Sequence, residues 1–161
     1  MTALRDWWSG TIILALIVAI PIRGHAQERS EQIKVAAPLT YIRVYADSLG
    51  ASHFAADKVD FTLVDYAPPA PAISVSEVAA AQGVMFLSSP SGWFGDWHPA
   101  PRRQYIFCMS GEVEVEVSNG EIRRFGPGSI ILVEDTVGQG HITRVVSAER
   151  VYLAAVVLTG Q

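Results

Sequence analysis

From Tyr41 onward, apolar residues recur in short runs, and most of these runs end in Gly, Pro, Asn or Asp. Short runs punctuated by turn residues are the signature of a β-sandwich or barrel. The pattern predicts strands over 41–46, 59–66, 83–88, 104–109, 112–118, 121–125, 129–133, 142–147 and 151–158. The clearest is 112–125. Val113, Val115 and Val117 alternate with Glu112, Glu114 and Glu116, so one face is buried and the other wet. Asn119-Gly120 then supplies the positive φ angles of a two-residue hairpin turn. Arg123 and Arg124 return on the partner strand, within reach of the glutamates. This charged ladder reads as a solvated face. Gly126-Pro127-Gly128 makes a tight turn into 129–133, which is apolar throughout, so both faces of that strand should be covered. A short helix is predicted over 75–81. Pro68, Pro69 and Pro71 mark an extended surface connection, because proline donates no ladder hydrogen bond.

The start of the chain has a different pattern. Arg5 is followed by an apolar run over 11–22 and then by the small residues Gly24 and Ala26. This order reads as a secretory signal over 1–26, cleaved after Ala26. The run is short of the roughly 20 apolar residues that a membrane span needs. An uncleaved anchor is the alternative. Both readings place the domain outside the cytoplasm, secreted or periplasmic in the first case and membrane-anchored in the second. The expected organisation is a signal over 1–26, a linker over 27–40 and one β-barrel domain over 41–161.

Composition narrows the function. Half of the 161 residues are hydrophobic and 17% are charged, which fits a packed domain rather than disorder. The net charge is −4, and removing Arg5, Arg23 and Asp6 with the signal moves it to −5. With no basic stripe, a nucleic-acid partner is not expected. The lone Cys108 excludes an intrachain disulfide and a cysteine-based zinc site. It shares parity with Gln104 and Ile106 and should point inward as inert packing.

The remaining chemistry is concentrated in the stretch 97–146. Gly95, His98, Gln104 and Gly111, then Pro127-Gly128, the strand 129–133 and His141, carry a resemblance to the cupin superfamily. The match covers about 83–158. The stretches RVYAD, GDWHPAPRRQ and VEDTVGQGHITRVV also look like a group of small cupin proteins of largely unassigned function. The resemblance implies an all-β jelly roll, or double-stranded β-helix barrel, often dimeric. Its metal site usually joins three His and one Glu on Fe, Mn, Ni, Cu or Zn. Two of those positions are altered here. Ala100 stands where the second His of the pair would fall, and Gln104 where the Glu would fall. His98, Gln104 and His141 remain as candidate metal ligands, a set that lacks the carboxylate charge which offsets a cation. The alternative is a metal-free pocket in which His98 and His141 act as hydrogen-bond or acid–base groups.

If the segment after His98 is extended, His98, Ala100, Arg102 and Gln104 share a face. Arg102 would then hold a substrate carboxylate or enolate, or pair with Glu134 or Asp135. Arg103 would point outward. Trp93, Phe94 and Trp97 are candidates for an aromatic pocket wall, and equally for core or a dimer contact. Glu134 or Asp135 could orient His141 through its second ring nitrogen. His53 either closes the site from an N-terminal strand or is structural.

The function expected is an exported cupin that binds a small, anionic organic molecule, with non-redox enzyme activity left open. A metal-dependent oxygenase or isomerase using His98, Gln104 and His141, and a non-catalytic scaffold, are the alternatives.

Overall fold

The structure is a computed structural model and describes residues 34–160. The predicted signal over 1–26 and most of the linker lie outside the described residues. The strands are β1 (Leu39–Ala46), β2 (Ser52–Val59), β3 (Thr62–Val64), β4 (Ile73–Val75), β5 (Ala81–Ser89), β6 (Phe94–His98), β7 (Gln104–Ser110), β8 (Val113–Val117), β9 (Ile122–Phe125), β10 (Ile130–Val133), β11 (His141–Val145) and β12 (Val151–Leu158). No helix occurs among the described residues, so none is long and apolar enough to cross a membrane.

The fold is all-β and of the jelly-roll type. One sheet has six strands in the order β2-β1-β10-β7-β12-β5, and a second has four in the order β6-β11-β8-β9. Strands β3 and β4 form a separate ribbon. All pairings are antiparallel except β1 with β10.

Alternation builds the core. Val113, Val115 and Val117 of the four-stranded sheet pack with Ile106, Ile131, Val133 and Ala155 of the six-stranded sheet. Cys108 is buried among them, and burial pushes its thiol pKa up. Strand β10 is covered on both faces, as its unbroken apolar sequence requires. Ile131 and Val133 join the inner cluster, while Leu132 joins Tyr41 and Leu158 in a second one.

Several local expectations need correction. Over 75–81 there is no helix. Ile73–Val75 pairs with Thr62–Val64, and Ala81 already belongs to β5. The alanines favour a helix, but β12 takes Ala81 into its ladder and Val78 is almost fully exposed, so no apolar face holds a helix against the domain. The run 59–66 divides between β2 and β3. The greater part of β2, a strand of Ser, Ala, Asp and Lys with low intrinsic preference, was not legible because β1 imposes its register. Strand β6 was likewise missed. The hairpin turn contains three residues rather than two. The Gly120 N–H donates to the Val117 carbonyl, and Gly120 takes φ of 85°. The loop is closed by a glycine in the left-handed region, as is common for three-residue hairpin connections. The charged ladder forms through Arg124 as expected, with Arg144 of β11 added and Arg123 left out. Arg124 reaches Glu112 and Glu114, and Arg144 of β11 reaches Glu114 and Glu116. Arg123 lies opposite Val115 in register and turns to the Phe54 ring and Glu121 instead.

Candidate functional site

A cavity of about 390 Å³ lies between the two sheets. That is within the usual range for a small-molecule site. Its walls are largely apolar, with Val44, Ile106, Val115, Ile131, Val133 and Leu153 among them. Its polar side chains are His98, Gln104, His141, Thr143, Ser88 and Ser89, and its lining includes no Lys, Arg, Asp or Glu.

Register brings the two histidines together. His98 ends β6 and His141 begins β11, and they are direct antiparallel partners. Partners across a ladder share a face, and the two rings stand 4.7 Å apart between centroids. Thr143, two residues after His141, falls on the same face and lines the cavity too. Gln104 comes from the opposite sheet. It starts β7 between β10 and β12, opposite Val133 and Val157, and is buried.

The close approach of β6 and β11 depends on Gly140. Its φ is 74°, and a Cβ there would overlap the His98 carbonyl group and the Pro99 nitrogen. The buried Ser52 hydroxyl donates to the Gly140 carbonyl at 2.6 Å, which pins this turn from the other side.

Hydrogen bonds set the state of both rings. His98 Nδ1 lies 2.6 Å from the Asp96 carbonyl oxygen. A carbonyl only accepts, so Nδ1 carries the hydrogen. His141 Nδ1 lies 2.7 Å from Asp135 Oδ2 and donates to it. The Nε2 atom of each ring therefore keeps its lone pair when the ring is neutral. Asp135 is fully buried, and its Oδ1 has no hydrogen-bond partner among the described residues. Sequence reading weighed Asp135 only as one of two loop carboxylates. Its burial beneath His141 follows from the chain turning back to place the Asp135 carbonyl on the Ala100 N–H.

Arg102 is corrected. It is exposed and does not line the cavity. The chain leaves the strand after His98, and residues 99–103 are not extended pairing partners. Pro99 and Pro101 lack ladder donors, so the alternation that would have carried Arg102 inward is broken. Pro101 lines the cavity instead. The ion pair considered for Arg102 is made by Arg103, whose Nε donates to Glu134 at 2.9 Å. Glu134 also holds Arg43. Trp97 and Phe94 are exposed and outside the cavity lining, while Trp93 lines it. His53 is outside as well. It bonds Asp47 at 2.9 Å and Asn119 at 3.3 Å, bracing the turn between β1 and β2.

The fit of the cavity to a divalent ion follows from its donors. Two imidazoles and one neutral amide supply no negative charge and only three donor atoms. Ala100 offers no donor. No group of three or more His, Cys, Asp or Glu placed to hold a metal occurs among the described residues. The donor set is poorer than three His and one Glu and lacks the carboxylate charge that offsets a divalent cation.

No protein-family model matches the chain, and no curated protein matches it. Solved structures similar to it include cupin domains. The cupin domain of Cnp3 from Schizosaccharomyces pombe is 13% identical, covering 77% of this chain and 86% of its own, with a TM-score of 0.38. The cupin domain of an XRE family transcriptional regulator from Enterobacter cloacae is 15% identical, covering 78% and 100%, with a TM-score of 0.33. A conserved protein of unknown function from Streptococcus pyogenes is 19% identical, covering 53% and 71%, with a TM-score of 0.37.

Proposed function

We propose that this cupin-type barrel binds a small organic molecule with an apolar body and one uncharged hydrogen-bonding head, such as a phenol or an enol. One observation carries the reading. His98, His141 and Gln104 line an otherwise apolar cavity, and both imidazoles have Nδ1 engaged and Nε2 free. Either Nε2 lone pair can accept the single O–H hydrogen of such a head, and the Gln104 amide can donate to its oxygen. An anionic head finds no arginine or lysine in the lining. The anionic ligand expected from Arg102 is therefore replaced by a neutral one.

The His141–Asp135 pair adds a second reading on the same site. A ring held by a buried carboxylate is oriented to take a proton from a bound hydroxyl or an activated C–H group, and the carboxylate stabilises the imidazolium that results. The step is a proton transfer, with the proton moving from ligand to His141 Nε2 and back. Exchange of the α-hydrogens of cyclohexanone in D2O, followed by NMR, tests it. Exchange above the buffer rate that falls in Asp135→Asn supports the reading, and exchange equal to buffer removes it.

Binding itself is tested by calorimetry with 4-isopropylphenol and 4-isopropylbenzoate. The phenol is expected to bind at least ~10-fold tighter, about 1.4 kcal/mol. Gln104→Leu and a cavity-filling Val115→Phe should each weaken it. Equal binding of phenol and benzoate, or none of either, would overturn the proposal. Export is proposed separately, on the signal-like residues 1–26. N-terminal sequencing of the protein recovered from cells tests it, with a start at Gln27 as the expected result.

A further inference from the structure

Both basic side chains in the cavity lining stand on one wall. His98 of β6 and His141 of β11 are direct partners in the four-stranded sheet and share its inner face. Their rings stand 4.7 Å apart between centroids. At that distance the rings touch, and no ligand carbon fits between them. The six-stranded sheet forms the facing wall. Its polar contributions are Gln104 of β7 with Ser88 and Ser89 of β5, set among Ile106, Ile131 and Val133. An amide and a hydroxyl make hydrogen bonds, but neither takes a proton from carbon near neutral pH. The lining holds no Asp, Glu, Lys, Tyr or Cys that could do so.

Inverting a carbon by proton transfer takes a group on each side of it, each within about 3–3.5 Å. This cavity offers such groups on one side only. A ketone whose oxygen accepts from the Gln104 amide N–H would lose an α-hydrogen, as a proton, to His141 Nε2. The C–H electron pair becomes the C=C bond, and the C=O π pair moves to oxygen. The amide N–H then stabilises the enolate, while Asp135 holds the imidazolium through Nδ1. The imidazolium exchanges its proton with solvent and returns one to the same face of the same carbon, as the electron pairs move back. His98 stands on the same wall, so the outcome is the same whichever ring acts. We infer, on the basis of the proton-transfer reading above, that the site exchanges the α-hydrogen of a neutral ketone with retention of configuration. It is then neither a racemase nor an epimerase.

The separate enantiomers of 2-methyl-1-indanone, incubated with the full chain in D2O, test this. Mass spectrometry follows deuterium entering beside the carbonyl, and chiral chromatography follows configuration. For at least one enantiomer, deuterium is expected to enter ~10-fold or more faster than configuration is lost. Exchange in buffer alone passes through a free planar enolate, loses configuration as fast as it gains deuterium, and serves as the control. Added 4-isopropylphenol should slow the enzymic exchange, which locates it in the cavity. Exchange accompanied by equal racemisation would overturn the inference and leave the proton-transfer reading standing. Exchange no faster than in buffer, or exchange that the phenol does not slow, would overturn both.

Discussion

Replacing Gly140 by alanine tests how the histidine pair is built. Two effects add. Alanine at φ near 74° carries the left-handed penalty, about 1–2 kcal/mol. Its Cβ would also stand well within 3.0 Å of the His98 carbonyl and the Pro99 nitrogen. Those are backbone atoms and cannot rotate away. Relief requires the turn to move, which breaks the buried Ser52–Gly140 hydrogen bond, worth about 1 kcal/mol and more if the hydroxyl is left without a partner. The expected loss is about 3 kcal/mol. Gly120→Ala is the internal control. Its φ is 85°, yet a Cβ there meets nothing within 4 Å. It should lose only the conformational part, about 1–2 kcal/mol. Urea denaturation of both variants measures the difference, expected to be about 1–2 kcal/mol, or roughly 0.5–1 M in midpoint at an ordinary slope. If the two variants agree within about 0.5 kcal/mol, the close approach of Gly140 to His98 does not hold the site together.

Other predictions follow from the same structure. Leu132→Ala should lose about 2–5 kcal/mol, because the side chain is 2% exposed and its neighbours belong to a compact cluster; urea midpoints check it. Asp47 accepts from His53 and from the Ala51 and Leu49 N–H groups, which hold its pKa below the usual aspartate value. A depressed carboxylate pKa stabilises the fold above the unfolded value and is lost as pH falls through the folded one. The stability gap between wild type and Asp47→Asn should therefore shrink below about pH 4, and a gap that widens on acidification contradicts this. Cys108 should resist iodoacetamide in the native protein and react once unfolded in urea, since burial keeps its thiol protonated. Protein purified without an affinity tag should contain well under one transition-metal ion per chain. Near-stoichiometric metal that disappears in His98→Ala would contradict the donor count made from His98, Gln104 and His141.

The alternation in 112–118 and the unbroken apolar run at 130–133 were legible because burial alone dictates them. The inner faces of β8 and β10 follow directly. The convergence of His98, Gln104 and His141 on one cavity was also legible, through the spacing that resembles a cupin. Arg102 was misplaced for a local reason. Two prolines and the Ala100–Asp135 hydrogen bond end the strand at His98, so period-two counting fails beyond it. Strand β2 and the pairing of Arg144 with Glu114 and Glu116 were hidden because they depend on strands distant in sequence. Asp135 beneath His141 was one of two candidates, and only the fold decides between it and Glu134, which the arginines take.

The account rests on two imidazoles that keep Nδ1 protonated and turn a free Nε2 lone pair to the ligand. A long-range ¹H–¹⁵N correlation spectrum of the histidine rings at pH 8, recorded with and without 4-isopropylphenol, measures this directly. The predicted result is the Nδ1–H form for both His98 and His141, with the Nε2 signal of at least one ring shifting on addition of the phenol. An Nε2–H form for either ring, or Nε2 signals that both ignore the phenol, would contradict it.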